Sequence, residues 1–163
     1  MAICVFPGSF DPFTVGHFSV ARRAADVFGK TVILVASNSD KKCLFSDEER
    51  LRIVRASIAD DPRLSAELCE ETVADAAISL GAVAIVKGLR DSTDYNYESH
   101  FAGAMRALGA PEVVFLDVEE RFSHVSSTFV RELFRYGKDP SEYLCAGAFP
   151  LVETILKKKE KTR

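Results

Sequence analysis

Apolar residues in this chain fall into short, nearly continuous runs separated by longer stretches of helical spacing. The runs are Ala2–Phe6, Thr31–Ala36, Ala82–Val86 and Glu112–Leu116, with a weaker one at Leu64–Leu68. Each has the length of a strand, and the lack of a polar alternate side predicts burial on both faces. After each run, apolar positions recur every three or four residues: His17–Phe28, Asp47–Ala59, Thr72–Leu80, Tyr95–Leu108 and Ser126–Tyr136. A last helix is predicted from Pro150 to about residue 161, proline being suited to the first helical position. Ser46 and Glu49 have the spacing of a capping box ahead of Leu51, Val54 and Ile58. Gly29, Gly81, Gly109 and Gly137 stand where helices should end. Alternating strands and helices of this kind predict a mostly parallel sheet covered on both faces.

Composition narrows the picture. A length of 163 residues is most simply one domain, 1–163, and 47% apolar content fills a sizeable core. A net charge of -3 and a pI near 5.7 argue against a nucleic-acid partner, which a basic surface would mark. The basic run Lys157–Lys161 reads as the solvated end of a helix. No apolar run approaches the about 18 residues of a membrane span, so no membrane partner is expected, and the N-terminus lacks the charged start of a signal peptide. Cys4, Cys43, Cys69 and Cys145 form no C-x-x-C pair, a pattern that fits reduced thiols in the cytoplasm.

In a parallel sheet, ligands bind outside the carboxyl ends of the strands. Four polar clusters are expected there: Pro7–His17, Ser37–Lys42, Lys87–Arg90 and Asp117–Ser127. The first, Pro7-Gly8-Ser9-Phe10-Asp11-Pro12-Phe13-Thr14-Val15-Gly16-His17, reads as a strand–loop–helix turn. Its backbone N–H groups and the dipole of the next helix favour an anion, with His17 in the first helical turn facing the loop.

Together these clusters resemble the phosphopantetheine adenylyltransferase family of the nucleotidylyltransferase superfamily. Its opening P-G-[ST]-F-D-P-x-T-x-G-H is present at Pro7–His17, with Thr14 where the superfamily's H-x-G-H has its first histidine. Lys41-Lys42-Cys43-Leu44-Phe45, Lys87-Gly88-Leu89-Arg90, Asp94-Tyr95-Asn96-Tyr97-Glu98 and Val125-Ser126-Ser127-Thr128-Phe129-Val130-Arg131 match four further motifs in order. The resemblance implies a Rossmann-like three-layer α/β/α fold with a five-stranded parallel sheet. It implies adenylyl transfer from ATP to 4′-phosphopantetheine, giving dephospho-CoA and pyrophosphate, with magnesium carried on ATP and a homohexameric assembly. Two segments depart from the family pattern: Glu71–Ala77 is more acidic and smaller, and Met105 stands where the family has asparagine. Both belong to the family's acceptor side.

Site roles follow from the resemblance and from the residue types. Two anions must meet, so positioning and charge stabilisation carry the reaction, with no covalent intermediate. His17 is the candidate for the transferring α-phosphate and Ser9 for orienting the incoming phosphate, and both also belong to the implied ATP site. Lys41 and Lys87 are expected at the acceptor phosphate, with Lys42 solvated, and Val73 at the pantetheine arm. Arg90 suits the polyphosphate through its fork of donors. Ser126 and Ser127 open a helix whose N–H groups suit the β- and γ-phosphates. Phe10, Gly88, Leu89, Glu98, Phe122, Ser123, His124, Val125 and Thr128 complete the implied ATP site. No acidic cluster reads as a protein cage for a metal. Two other readings share the pattern: a related acceptor, such as nicotinamide mononucleotide or a glycerol phosphate, and a nucleotide sensor without catalysis.

Overall fold

The computed structural model describes residues 1–37 and 42–161. Five strands, β1 (Ala2–Gly8), β2 (Gly29–Ala36), β3 (Leu64–Cys69), β4 (Ala84–Leu89) and β5 (Val113–Asp117), form one parallel sheet in the order β3-β2-β1-β4-β5. Between and after them lie α1 (Val15–Phe28), α2 (Asp47–Ile58), α3 (Val73–Ser79), α4 (Ser92–Ala107), α5 (Ser127–Arg135) and α6 (Phe149–Lys161). Single 3-10 turns occur at Glu120–Phe122 and Ser141–Tyr143.

The continuous apolar runs work because strand side chains alternate between two cores. Cys4, Phe6, Ile33, Val35, Ala84 and Val86 point into one core, shared with α1, α2, α5 and α6. Val5, Val32, Leu34 and Ile85 point into the other, closed by Ala74, Ala76 and Ala77 of α3 and by Ala102 and Met105 of α4. The predicted α/β three-layer arrangement with a five-stranded parallel sheet is therefore the observed one. Met105, expected near an acceptor, is 8% exposed and belongs to this second core.

The predicted caps form. Ser46 Oγ accepts from Glu49 N–H (3.2 Å), and Glu49 Oε2 accepts from Ser46 N–H (2.8 Å). Gly29, Gly81, Gly109 and Gly137 all have positive φ. Boundaries shift in two places that matter. β4 runs on to Leu89, so Lys87, Gly88 and Leu89 are strand residues paired with Phe115, Leu116 and Asp117 rather than a loop after the strand. α1 starts at Val15, two residues early, because Thr14 caps it.

Candidate active site

The chain reverses its direction of sheet growth at β1, whose neighbours are β2 and β4. A crevice opens at such a point, outside the carboxyl ends of the strands. The β1–α1 turn and the end of β4 border it here.

The turn is built around aromatic packing. Phe10 adopts φ 49°, a left-handed conformation that costs a non-glycine residue energy. In return its ring enters the core, edge-on to Phe6 (5.4 Å), Phe13 (5.2 Å) and His17 (5.1 Å) between centroids. Gly8 makes room for that ring: a Cβ there would lie 2.7 Å from Phe10 Cζ. Phe10 is 4% exposed, so it contributes packing and the shape of the turn. Ser9 precedes it, partly buried.

His17 is the third residue of α1. Its Nδ1 accepts from the Thr14 backbone N–H (3.1 Å) and lies 3.0 Å from Thr14 Oγ1, while Thr14 Oγ1 accepts from His17 N–H (3.4 Å). This is a capping box with histidine in the place of the usual glutamate. With Nδ1 held as acceptor, the ring proton of the neutral form sits on Nε2. Desolvation, then the positive charges of Arg90 and Lys87, push the His17 pKa down to about 4. The ring is therefore a neutral donor at neutral pH.

The cations at the end of β4 are pre-engaged. Lys87 Nζ stands 3.2 Å from Glu98 Oε1, over the Phe101 ring at 4.8 Å and 3.5 Å from the Pro7 carbonyl. Both side chains of the pair are 15% exposed, and Glu98 Oε2 is buried without a partner. Glu98, a solvated charge by its helix pattern alone, instead faces Lys87 across the end of the sheet. Arg90 grips Asp94 through Nε (2.9 Å) and Nη2 (3.0 Å), and these bonds raise its pKa and lower that of Asp94. Gly88 lies close under Val20 and Val118, where a Cβ would come within 3.1 Å of Val20 Cγ2. Leu89 ends β4, and its carbonyl accepts from Val118 N–H (2.7 Å).

Ser126 is the N-cap of α5, its Oγ accepting from Phe129 N–H (3.0 Å). Ser127 Oγ donates to the Pro12 carbonyl (2.8 Å), and Thr128 Oγ1 accepts from Arg131 (3.2 Å). All three hydroxyls thus have protein partners, and the backbone N–H groups of the first turn carry the anion affinity of this helix start. Phe122 packs beside Gly16, with Arg121 over its ring at 4.5 Å. Ser123 and His124 are exposed, His124 edge-on to Tyr143 at 5.9 Å, and Val125 is buried. Val73 opens α3 behind the N-cap Thr72 and is partly buried. Lys41 lies outside the described residues, and Lys42 is exposed.

Sequence reasoning passed over the residues that tie this rim together. Asp11 is 5% exposed, and its carboxylate accepts from Leu44 N–H (2.8 Å) and Phe45 N–H (2.9 Å). Arg131 donates to the Asp11 carbonyl (2.6 Å), joining α5 to the same turn. Arg50, on α2, is 1% exposed and reaches the Ser9 and Ala36 carbonyls. One signal was readable: Arg50 lies on the helical stripe of Val54 and Ile58, where a charge is out of place. Among the described residues no group of three or more His, Cys, Asp or Glu side chains is placed to hold a metal ion. A 940 Å³ groove beside Arg131, between α5 and α6, contains none of the predicted site side chains.

Residues 5–133 match the profile of the cytidylyltransferase-like family. The phosphopantetheine adenylyltransferase of Kocuria rhizophila is 44% identical over 144 residues, 88% of this chain and 91% of that protein. The enzymes of that name from Acidovorax sp. (strain JS42) and Chloroflexus aggregans are 40% identical over 146 residues and 38% over 160. They cover 89% and 98% of this chain, and 88% and 97% of their own lengths. The chain belongs to the phosphopantetheine adenylyltransferase family. It is accordingly an enzyme of the nucleotidyltransferase class with the Rossmann-like fold of that family.

Proposed function

We propose that the chain transfers the adenylyl group of ATP directly to the phosphate of 4′-phosphopantetheine, releasing pyrophosphate and dephospho-CoA, at the crevice between β1 and β4. The observation that carries this reading is His17. Its Nδ1 is locked by the Thr14 N–H, so its Nε2–H is a preorganised neutral donor at a helix N-terminus beside two cations. Such a donor, aimed at a pentavalent α-phosphorus, stabilises charge that grows in the transition state without reorganising. The attacking phosphate oxygen and the departing pyrophosphate then lie in line, and no enzyme nucleophile is needed.

In this reading Ser9, Lys41 and Lys87 receive the acceptor phosphate, and Val73 borders the pantetheine arm. Arg90, Gly88, Leu89, Phe10, Glu98 and the segment Phe122–Thr128 receive ATP. Binding has a cost at Lys87 and Arg90, since each must share its carboxylate partner with an incoming anion. Magnesium would come bound to ATP and neutralise part of its charge, while Lys87 and Arg90 would meet the phosphate oxygens left free. The oligomer is proposed as a homohexamer. Tyr95, Tyr97 and Leu108, at 52%, 71% and 55% exposure, are large side chains on and after α4 open to contact with another copy. The four free cysteines, three of them buried, suit the cytoplasm. Among the described residues no helix is long and apolar enough to cross a membrane.

Pyrophosphate release from ATP, measured with 4′-phosphopantetheine, nicotinamide mononucleotide and glycerol 3-phosphate in parallel, tests the reading. Release with the first alone is expected. Release with another acceptor alone would transfer the proposal to that substrate, and ATP binding without release would make the chain a sensor.

A further inference from the structure

We propose that Arg50 is a positioning residue: a buried guanidinium clamp that holds the Ser9 turn against the end of β2 and so sets the geometry in which the acceptor phosphate is received. The inference rests on the proposed role of Ser9.

Arg50 lies on α2 and is 1% exposed. An arginine on an apolar helix stripe costs desolvation and must be compensated by specific partners. Its partners are two backbone carbonyls, one in the β1–α1 turn and one at the end of β2, and a carboxylate on its own helix. Nη1 donates to the Ser9 carbonyl and to the Ala36 carbonyl (3.0 Å); Nη2 donates to the same Ala36 carbonyl (3.1 Å) and to Asp47 Oδ1 (2.6 Å). Asp47 is itself held, accepting from Ser37 Oγ through its other oxygen. Ser9 belongs to the β1–α1 turn, and Ala36 is the last residue of β2. One planar fork therefore fixes the distance between the Ser9 turn and the end of β2. A core packing role would need no contact with both carbonyls. Lysine, a single point of charge, cannot span them in the same geometry. Asp11 makes a second tie between the same two loops, through Leu44 and Phe45 N–H, but farther along the chain. The fold thus keeps a link when the Arg50 clamp is loosened, while the Ser9 turn loses its own.

The test uses Arg50→Lys, which keeps the buried charge, and Arg50→Met, which keeps the volume. Displacing reacting groups by about 1 Å lowers transfer up to roughly a hundredfold, so turnover with 4′-phosphopantetheine should fall at least tenfold in both. ATP affinity by calorimetry should change less than threefold. Arg50→Lys combined with Ser9→Ala should be no slower than the slower single variant, because the clamp acts through Ser9. Backbone hydrogen exchange, read without substrates, should rise at Ser9, Phe10 and Ser37 while Val5 and Ile33 stay protected. Normal turnover in Arg50→Met, fully additive losses in the double variant, or faster exchange spread evenly over the sheet would each overturn the clamp. If the wild-type enzyme releases no pyrophosphate, the reaction reading fails while the exchange pattern still decides whether Arg50 holds the turn.

Discussion

At the residue scale, His17 shows how backbone contacts choose a side chain's chemistry. Burial, then the Arg90 and Lys87 charges, keep its ring neutral, and the Thr14 N–H fixes which nitrogen carries the proton. Two outcomes follow. His17→Ala should lower turnover about a hundredfold with ATP affinity little changed, since one preorganised transition-state donor is lost. His17→Gln, which retains a neutral N–H, should recover part of that loss if its amide reaches the same place. Steady-state rates with calorimetric ATP binding decide between the two. The pH dependence has a definite sign. The unfolded chain takes up this proton near pH 6.5, whereas the folded chain resists it until about pH 4. The unfolded state binds more protons in that window, so folding stability falls as pH drops through it. Urea midpoints measured from pH 7 to 4.5 should decline less steeply in His17→Gln than in the wild type.

At the element scale, the β1–α1 turn is a packed object rather than a flexible loop. Phe10 accepts left-handed backbone to insert its ring, and Gly8 clears the space. In Gly8→Ala the added methyl would meet a ring already enclosed by Phe6, Phe13 and His17. Overpacking of this kind costs about 1–3 kcal/mol, and the displaced ring would move His17 with it. Thermal melting should show the stability loss, and turnover should fall further than the folded fraction does. A variant with wild-type turnover would show that the turn tolerates a shifted Phe10.

At the scale of the whole molecule, the two faces of the sheet are unequally covered. Four helices share one core, whereas the other is closed by the seven-residue α3 and by α4. The second core therefore has little spare packing. Met105→Asn, which restores the residue usual in the family, places an amide at a site 8% exposed. An unsatisfied buried polar group costs about 1–3 kcal/mol, to which lost methionine packing adds. The expected result is a lower unfolding midpoint with the acceptor KM changed less than threefold. A large KM change at unaltered stability would place this residue in the pantetheine pocket after all. Tyr95, Tyr97 and Leu108 are exposed on α4 and at its end. Light scattering on the 17.9 kDa chain is expected to report a sixfold mass.

Much of this was readable from local chemistry. Apolar runs such as Ala2–Phe6 announce strands because a parallel sheet buries both faces. Ser46–Glu49 and the four terminating glycines announce helix ends because unpaired backbone groups need the same partners in any context. The rim places of Pro7–His17 and Asp117–Ser127 were likewise legible, since loops at the carboxyl ends of such strands fall on one edge. Other properties depend on neighbours remote in sequence. Whether Lys87–Leu89 is loop or strand is settled by pairing with β5, and whether Glu98 is solvated or inward is settled by Lys87. Whether Met105 lines a pocket or a core depends on how α4 lies on the sheet. The neutrality of His17 and the burial of Arg50 are decided by desolvation and by carbonyls and charges on other elements. Local sequence therefore determined the elements and the kinds of groups at the rim. The tertiary structure alone decided their charge states and partners, because those energies depend on distance and dielectric rather than on position along the chain.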